Sequence, residues 1–191
     1  MILRRSRETE LFGQATGGGV RLRHPGRADY NAWAELRRSN ADYLSPWEPD
    51  CDEASLTRNS YRALLNACRR MIEKGRGYPF HIFRADDNTL VGAVNVTQVL
   101  RQPTRSAHLG YWLGQRYAGR GYARAAVRSV LEYCFNDLGL HRINAAVQAD
   151  NELSVRLLQA LGFTREGTAR GYLKINGHWR DHDVYALLSS D

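Results

Sequence analysis

The stretch Gln115-Arg116-Tyr117-Ala118-Gly119-Arg120-Gly121-Tyr122-Ala123 decides how the rest of the chain is read. Before it, Ser106 to Leu113 alternates as a strand does. After it, Ala123, Ala126, Val127, Val130, Leu131, Cys134 and Leu138 recur at helical spacing until Gly139. Strand, glycine loop and helix are therefore consecutive. Glycines at such a junction let a ligand approach consecutive backbone N–H groups, and the positive end of the following helix adds to them, which makes an anion site suited to a pyrophosphate. A P-loop would require Lys-Ser or Lys-Thr after its last glycine, where this chain has Tyr122-Ala123. A dinucleotide fingerprint would sit on the first strand unit, whereas this loop follows at least four strands. Nucleotide hydrolysis and dinucleotide binding are both disfavoured.

Toward the N-terminus, Tyr78 to Arg84 and Leu90 to Gln98 alternate as two further strands joined by Asp86-Asp87-Asn88. Two helices precede them. One runs from Asp29, a candidate cap, to Arg38; the other runs from about Glu53 to Lys74 and is stopped by Gly75 and Gly77. Between them Asn40 to Pro49 is broken by two prolines and reads as an irregular loop. A first strand lies near Val20 to Arg23. Residues 1–18, polar and ending in a glycine run, read as a mobile leader to a single domain over 19–191. Toward the C-terminus, a strand from His141 to Ala149 leads to a helix from Asn151 or Glu152 to Leu161. Strands then run from Phe163, from Tyr172 to Ile175 and from His178 to Leu187, with Asn176-Gly177 as a hairpin turn. This order predicts an α/β sandwich on a mixed, mostly antiparallel sheet flanked by about four helices.

Composition agrees with a packed domain: of 191 residues, 43% are hydrophobic and 25% charged. No apolar run approaches the ~20 residues of a helical membrane span. The start Met1-Ile2-Leu3-Arg4-Arg5-Ser6 lacks the apolar core of a signal peptide, so a cytoplasmic location is expected. Cys51, Cys68 and Cys134 are too far apart for a CxxC motif and are expected as reduced, buried thiols. The net charge is +7, and only Lys74 and Lys174 among the 27 basic residues are lysine. Such a surface suits anionic partners, including phosphorylated cofactors and RNA, or else reflects an arginine-rich composition with no partner at all.

Arg116-Tyr117-Ala118-Gly119-Arg120-Gly121 matches the Arg/Gln-x-x-Gly-x-Gly/Ala acetyl-coenzyme A signature of the GNAT superfamily of N-acetyltransferases. Asn151-Glu152-Leu153-Ser154, Leu157 and Leu161-Gly162-Phe163 match its second part. Further, Pro46-Trp47-Glu48-Pro49, Leu109-Gly110-Tyr111 and Asn176-Gly177-His178-Trp179-Arg180-Asp181-His182 resemble the RimJ/RimL branch, which acetylates the N-termini of ribosomal proteins. The resemblance spans roughly Val20 to Leu188.

It implies a GNAT-type sheet splayed at a cofactor cleft, and transfer of acetyl from acetyl-coenzyme A to a primary amine without a metal. Backbone groups near Leu113 would hold the pantetheine and the acetyl carbonyl. Amides from Ala118 through Gly119, Arg120, Gly121 and Tyr122 to Ala123 would take the pyrophosphate, screened by Arg116, Arg120 or Arg124, with Tyr117 in the same loop. Asn151 would bond the pantetheine or orient the loop.

The tyrosine acid of many relatives is replaced by Leu158. Ser154 matches the serine that this branch uses instead, or else is a surface or capping residue. His108 occupies the strand position of a relative's glutamate base, or else is a solvated or core-edge histidine; Tyr172, also assigned to substrate binding, and Glu166 are reserves, Glu166 otherwise capping or pairing near the turn after Phe163. Trp47 and Glu48 either line the acceptor groove, the carboxylate drawing an ammonium group, or Trp47 simply plugs the core beneath the second helix. Trp179-Arg180-Asp181 forms either a groove wall or a strand-edge salt bridge.

Three functions follow from this. The first is N-terminal acetylation of a ribosomal protein, the second acetylation of a small amine such as an antibiotic or polyamine, and the third a basic RNA-binding module. Against the last, the sequence holds no RNA-recognition signature.

Overall fold

A computed structural model describes residues 9–49 and 52–191 of the chain. The strands are β1 (Glu10–Ala15), β2 (Gly18–Arg23), β3 (Tyr78–Arg84), β4 (Leu90–Leu100), β5 (Ser106–Leu113), β6 (Arg142–Val147), β7 (Thr164–Ile175) and β8 (His178–Leu188). They form one sheet in the order β1-β2-β3-β4-β5-β6-β8-β7. Every neighbouring pair is antiparallel except β5 and β6, which are parallel. Among the described residues, five α-helices accompany the sheet: α1 (Tyr30–Arg38), the single turn α2 (Ala41–Leu44), α3 (Arg58–Glu73), α4 (Tyr122–Glu132) and α5 (Glu152–Ala160). A π-helical turn over Tyr133–Asp137 extends α4. The expected α/β sandwich on a mostly antiparallel sheet is what the chain forms.

Alternation along β3 shows how the two faces are covered. The rings of Tyr78 and Phe80 meet Tyr133, at the end of α4, edge-on. His81 and Phe83, of opposite parity, meet Asp29 and Arg23 beside α1. Between the layers, Phe80, Ile82, Val94, Ala107, Ala126, Val127, Val130 and Ile143 are buried in one continuous core.

Several boundaries differ from expectation. Residues 10–15, assigned to a mobile leader, form β1, paired along its length with β2; residues 1–8 lie outside the described residues. Leu11, Gly13 and Ala15 face inward and Glu10, Phe12 and Gln14 outward, an alternation that glycine and alanine conceal from a hydropathy count. The second helix begins at Arg58, not Glu53. Asp52 first caps a 3₁₀ turn by accepting from the Ser55 N–H at 2.9 Å, and Thr57 then caps α3 by accepting from the Ser60 N–H at 3.2 Å. The irregular loop contains α2, and the two C-terminal strand pieces are one bulged strand, β7. Cys68 and Cys134 are buried free thiols, whereas Cys51 falls outside the described residues.

Asp29 is a further correction, because it does not cap α1. It is buried and accepts two bonds from Arg23, at 2.6 and 2.8 Å, and one from the Gly26 N–H at 2.7 Å, with His81 Nδ1 at 3.4 Å. Burial pushes its carboxyl up, but the His81 ring and the Arg23 guanidinium outweigh that and hold it well below the usual carboxylate range. A carboxyl depressed in this way adds stability in full above its unfolded pKa of ~3.9 and loses it as pH falls toward the folded value. Asp29→Ala is therefore expected to lower unfolding free energy at pH 7 by about 3 kcal/mol, the low end for breaking a buried pair, because Arg23 keeps some solvent. Urea unfolding at pH 7 and pH 3 checks this, and the difference between variant and parent should narrow at pH 3.

Candidate active site

The site grows from a gap in the sheet. β5 pairs with β6 only through Ser106, Ala107 and His108, opposite Arg142, Ile143 and Asn144, so Leu109 to Leu113 has no strand partner on that side. A cavity of about 480 Å³ opens there. Its walls are the outer part of β5 (Tyr111, Trp112, Leu113), the glycine loop and start of α4 (Tyr117, Ala118, Gly119, Gly121, Tyr122, Ala123, Arg124), the start of α5 (Asn151, Ser154, Leu157) and the loop carrying Trp47 and Glu48.

The loop's geometry follows from its glycines. Gly119 and Gly121 have φ of +73° and +79°, backbone that L side chains rarely adopt. Gly121 stands at the N-cap of α4 without offering a side-chain acceptor, so the leading amides of the helix are open to an anion beside the cavity. Support comes from the β1–β2 turn: the Gly17 N–H and the Thr16 hydroxyl both donate to the Arg120 carbonyl, at 2.9 and 3.0 Å, and the Tyr122 hydroxyl donates to the Gly17 carbonyl. The residues expected to be a leader thus brace the loop.

Asn151 caps α5, its Oδ1 accepting from the Ser154 N–H at 3.2 Å. Ser154, in the first turn, lines the cavity, whereas Leu158 is fully buried in the core and does not. Trp47 and Glu48 line the same cavity. Their loop is tied down where the Pro46 carbonyl accepts from Gln148 at 2.7 Å and the Ser45 carbonyl accepts from Asn176 at 2.9 Å. Glu48 is not a free carboxylate: the buried Arg37 pairs with both its oxygens and lies over the Trp112 ring, 4.9 Å from its centroid.

Other expected residues are not brought to the cavity. His108 shares its strand face with Trp112, the opposite parity to Tyr111, and is not in the cavity wall. Burial, reinforced by the nearby Arg142 cation, pushes it below the ordinary histidine value. Glu166 is paired with Arg142, with one bond at 2.9 Å. Tyr172 sits in a bulge of β7 against the His182 ring. Arg116 and Arg120 line a separate cleft with Arg84 on the other side of the loop. At the hairpin Trp179 is 68% exposed, and Asp181 accepts from the Gly171 N–H at 2.7 Å.

Two contributors escaped the sequence-based expectation. Arg37 carries no local signal, since its partner lies eleven residues away across a turn. Tyr111 entered only within the strand pattern and the Leu109-Gly110-Tyr111 resemblance, with no role given to its hydroxyl, although a polar-tipped ring on an inward strand position marks a group that needs a partner.

A parallel pair that opens into a cleft, a glycine loop at an uncapped helix start and a cavity between them are the features of an acetyl-coenzyme A-dependent N-acetyltransferase. The family model described as Acetyltransferase (GNAT) domain matches residues 20–164, and the chain belongs to that family. It is 37% identical over 156 residues to the probable N-acetyltransferase YjcK of Bacillus subtilis, covering 82% of this chain and 86% of the relative. It is 34% identical over 174 residues to the [ribosomal protein uS5]-alanine N-acetyltransferase of Escherichia coli, covering 90% and 88%. Among solved structures, Mycobacterium smegmatis RimJ in complex with CoA-disulfide superposes with a TM-score of 0.91 at 33% identity, covering 96% of this chain and 88% of that one.

Gly119 provides a clean test of the loop. A Cβ built there meets no protein atom, whereas one at Gly121 would lie 3.1 Å from the Thr16 hydroxyl. Gly119→Ala should therefore fold, with the melting temperature a few degrees lower from ~1–2 kcal/mol of backbone strain. Its coenzyme A dissociation constant should rise at least about tenfold, ~1.4 kcal/mol, as titration calorimetry would show.

Proposed function

We propose that this enzyme acetylates the N-terminal α-amine of a ribosomal protein in the cytoplasm. The observation that carries the proposal is that the cavity continues from the cofactor loop to an acceptor side where the carboxylate of Glu48 is neutralised by Arg37. Such a site is poor at stripping a proton from a strongly basic amine. An α-amine, pKa ~7.7–8.0, is partly neutral near pH 7, whereas a lysine, ~10.4, is almost wholly charged. The 34% identity to an alanine N-acetyltransferase acting on ribosomal protein uS5 supports the same acceptor.

In the proposed reaction the neutral amine nitrogen attacks the thioester carbonyl carbon. A C–N bond forms, the carbonyl electrons move to oxygen, and the oxyanion is held by amides on the unpartnered edge of β5 near Leu113. The C–S bond then breaks. Ser154 gives its hydroxyl proton to the departing thiolate and is reprotonated from water, which also takes the proton lost by the amine. Loop amides of Ala118 to Ala123 bind the pyrophosphate, and the remaining amide of Asn151 is available to the pantetheine.

Peptides carrying both a free N-terminus and a lysine, each blocked in turn, test the acceptor, with spermidine as a third substrate. Acetylation should persist when the lysine is blocked and fall by at least about a hundredfold when the N-terminus is blocked, in line with the ~2.5-unit pKa gap. Comparable rates on the N-terminally blocked peptide, or preference for spermidine, would overturn the assignment.

A further inference from the structure

Ser154 sits in the first turn of α5, a part of a helix that frays unless something fixes it. Its amide side is fixed by the Asn151 cap. On its carbonyl side, the Tyr111 hydroxyl reaches over from β5 and donates to the Ser154 carbonyl oxygen at 3.3 Å. Tyr111 lies three residues beyond His108, the last residue of β5 that pairs with β6. This bond therefore ties strand to helix in the region where backbone pairing no longer sets their separation. Both backbone groups of Ser154 are thus engaged while the residue lines the cavity.

We propose that Tyr111 is the positioning residue for Ser154, holding the serine hydroxyl in reach of the departing sulfur by a hydrogen bond across the open end of the β5–β6 cleft. This rests on the assignment of Ser154 as proton donor. Tyr111 suits the task for two reasons. Its ring packs against the core and fills the cleft wall, so the hydroxyl is carried on a stiff support. Burial also pushes its pKa up to about 12, so the donor stays protonated at any pH where the acceptor amine reacts. The hydroxyl is committed to a carbonyl, which separates its part from that of the acid itself.

The test is a double-mutant cycle of Tyr111→Phe and Ser154→Ala on the full chain, read as the single-turnover rate of acetyl transfer, with KM for acetyl-coenzyme A measured alongside. Ser154→Ala should lower the rate by ~10²–10⁴-fold, the usual worth of a general acid. Tyr111→Phe removes only the oxygen and should lower the rate about tenfold or more, as small misplacements of a catalytic group do, with KM for acetyl-coenzyme A changed by less than about twofold. In the Ser154→Ala background, Tyr111→Phe should have little further effect, because it acts through a group already removed. Coenzyme A-dependent thermal stabilisation of each variant shows that the fold and the cofactor loop are intact.

Fully multiplicative losses would make Tyr111 an independent donor and overturn the proposal. So would an unchanged rate in Tyr111→Phe, or a loss confined to KM. A normal rate in Ser154→Ala would instead overturn the assignment of Ser154, and this inference with it.

Discussion

The parallel pairing of β5 with β6 runs through Ser106, Ala107 and His108 and then stops. Parallel strands cannot be joined by a tight turn, so the chain spends α4 on the crossover and returns to the sheet beside the strand it left. Had the pairing continued, Leu109 to Leu113 would have used its backbone groups on β6 and no cleft would exist. Because it stops, that edge keeps free amides in a partly buried setting, where an unbonded polar group is costly unless a ligand takes it. The crossover also places the start of α4 at the mouth of the same gap. The free strand edge and the uncapped helix start are thus two results of a single topological choice.

Electrostatics at the two ends of the cavity differ in a way that suits opposite partners. The loop end presents backbone amides, with Arg124 in the wall and Arg116 and Arg120 behind the loop, for a diphosphate. At the other end Glu48 is balanced by Arg37, whose guanidinium stacks on Trp112. A lone carboxylate there would bind an ammonium ion and keep it charged, which opposes nucleophilic attack. Balancing it leaves aromatic walls and a weaker field at that end of the cavity.

What was legible in the sequence is what local rules control. The alternation of β3 to β5, the Asn176-Gly177 turn with φ of +48° and +77°, and the glycine loop are dictated by residues within a few positions of one another. The hidden features depend on partners distant in sequence. Asp29 looks like a helix cap, yet Arg23 and His81 claim its oxygens from neighbouring strands. Glu53 looks like the start of a helix, but Thr57 competes for the capping role and wins. His108 stands at the expected strand position, but within the stretch of β5 still paired with β6, short of the cavity wall that begins at Tyr111.

The mistaken leader shows the same principle at the point where it matters to chemistry. A loop that approaches a diphosphate with bare backbone has few side chains of its own for rigidity, and its glycines raise the entropic cost of order. Order must then be imposed by neighbours. Here the β1–β2 turn bonds the Arg120 carbonyl twice, the Ser129 hydroxyl on α4 donates to the Phe12 carbonyl on β1 at 2.8 Å, and Gly13 lets β1 lie so close to α4 that a Cβ would come within 2.9 Å of the Ala125 carbonyl. β1 is the far edge of the sheet, four strands from the cleft, yet α4 lies across that distance with its first turn at the loop. The edge hairpin fixes where α4 rests, α4 fixes where its amides point, and the anion site inherits its geometry from a strand whose sequence carries no functional motif.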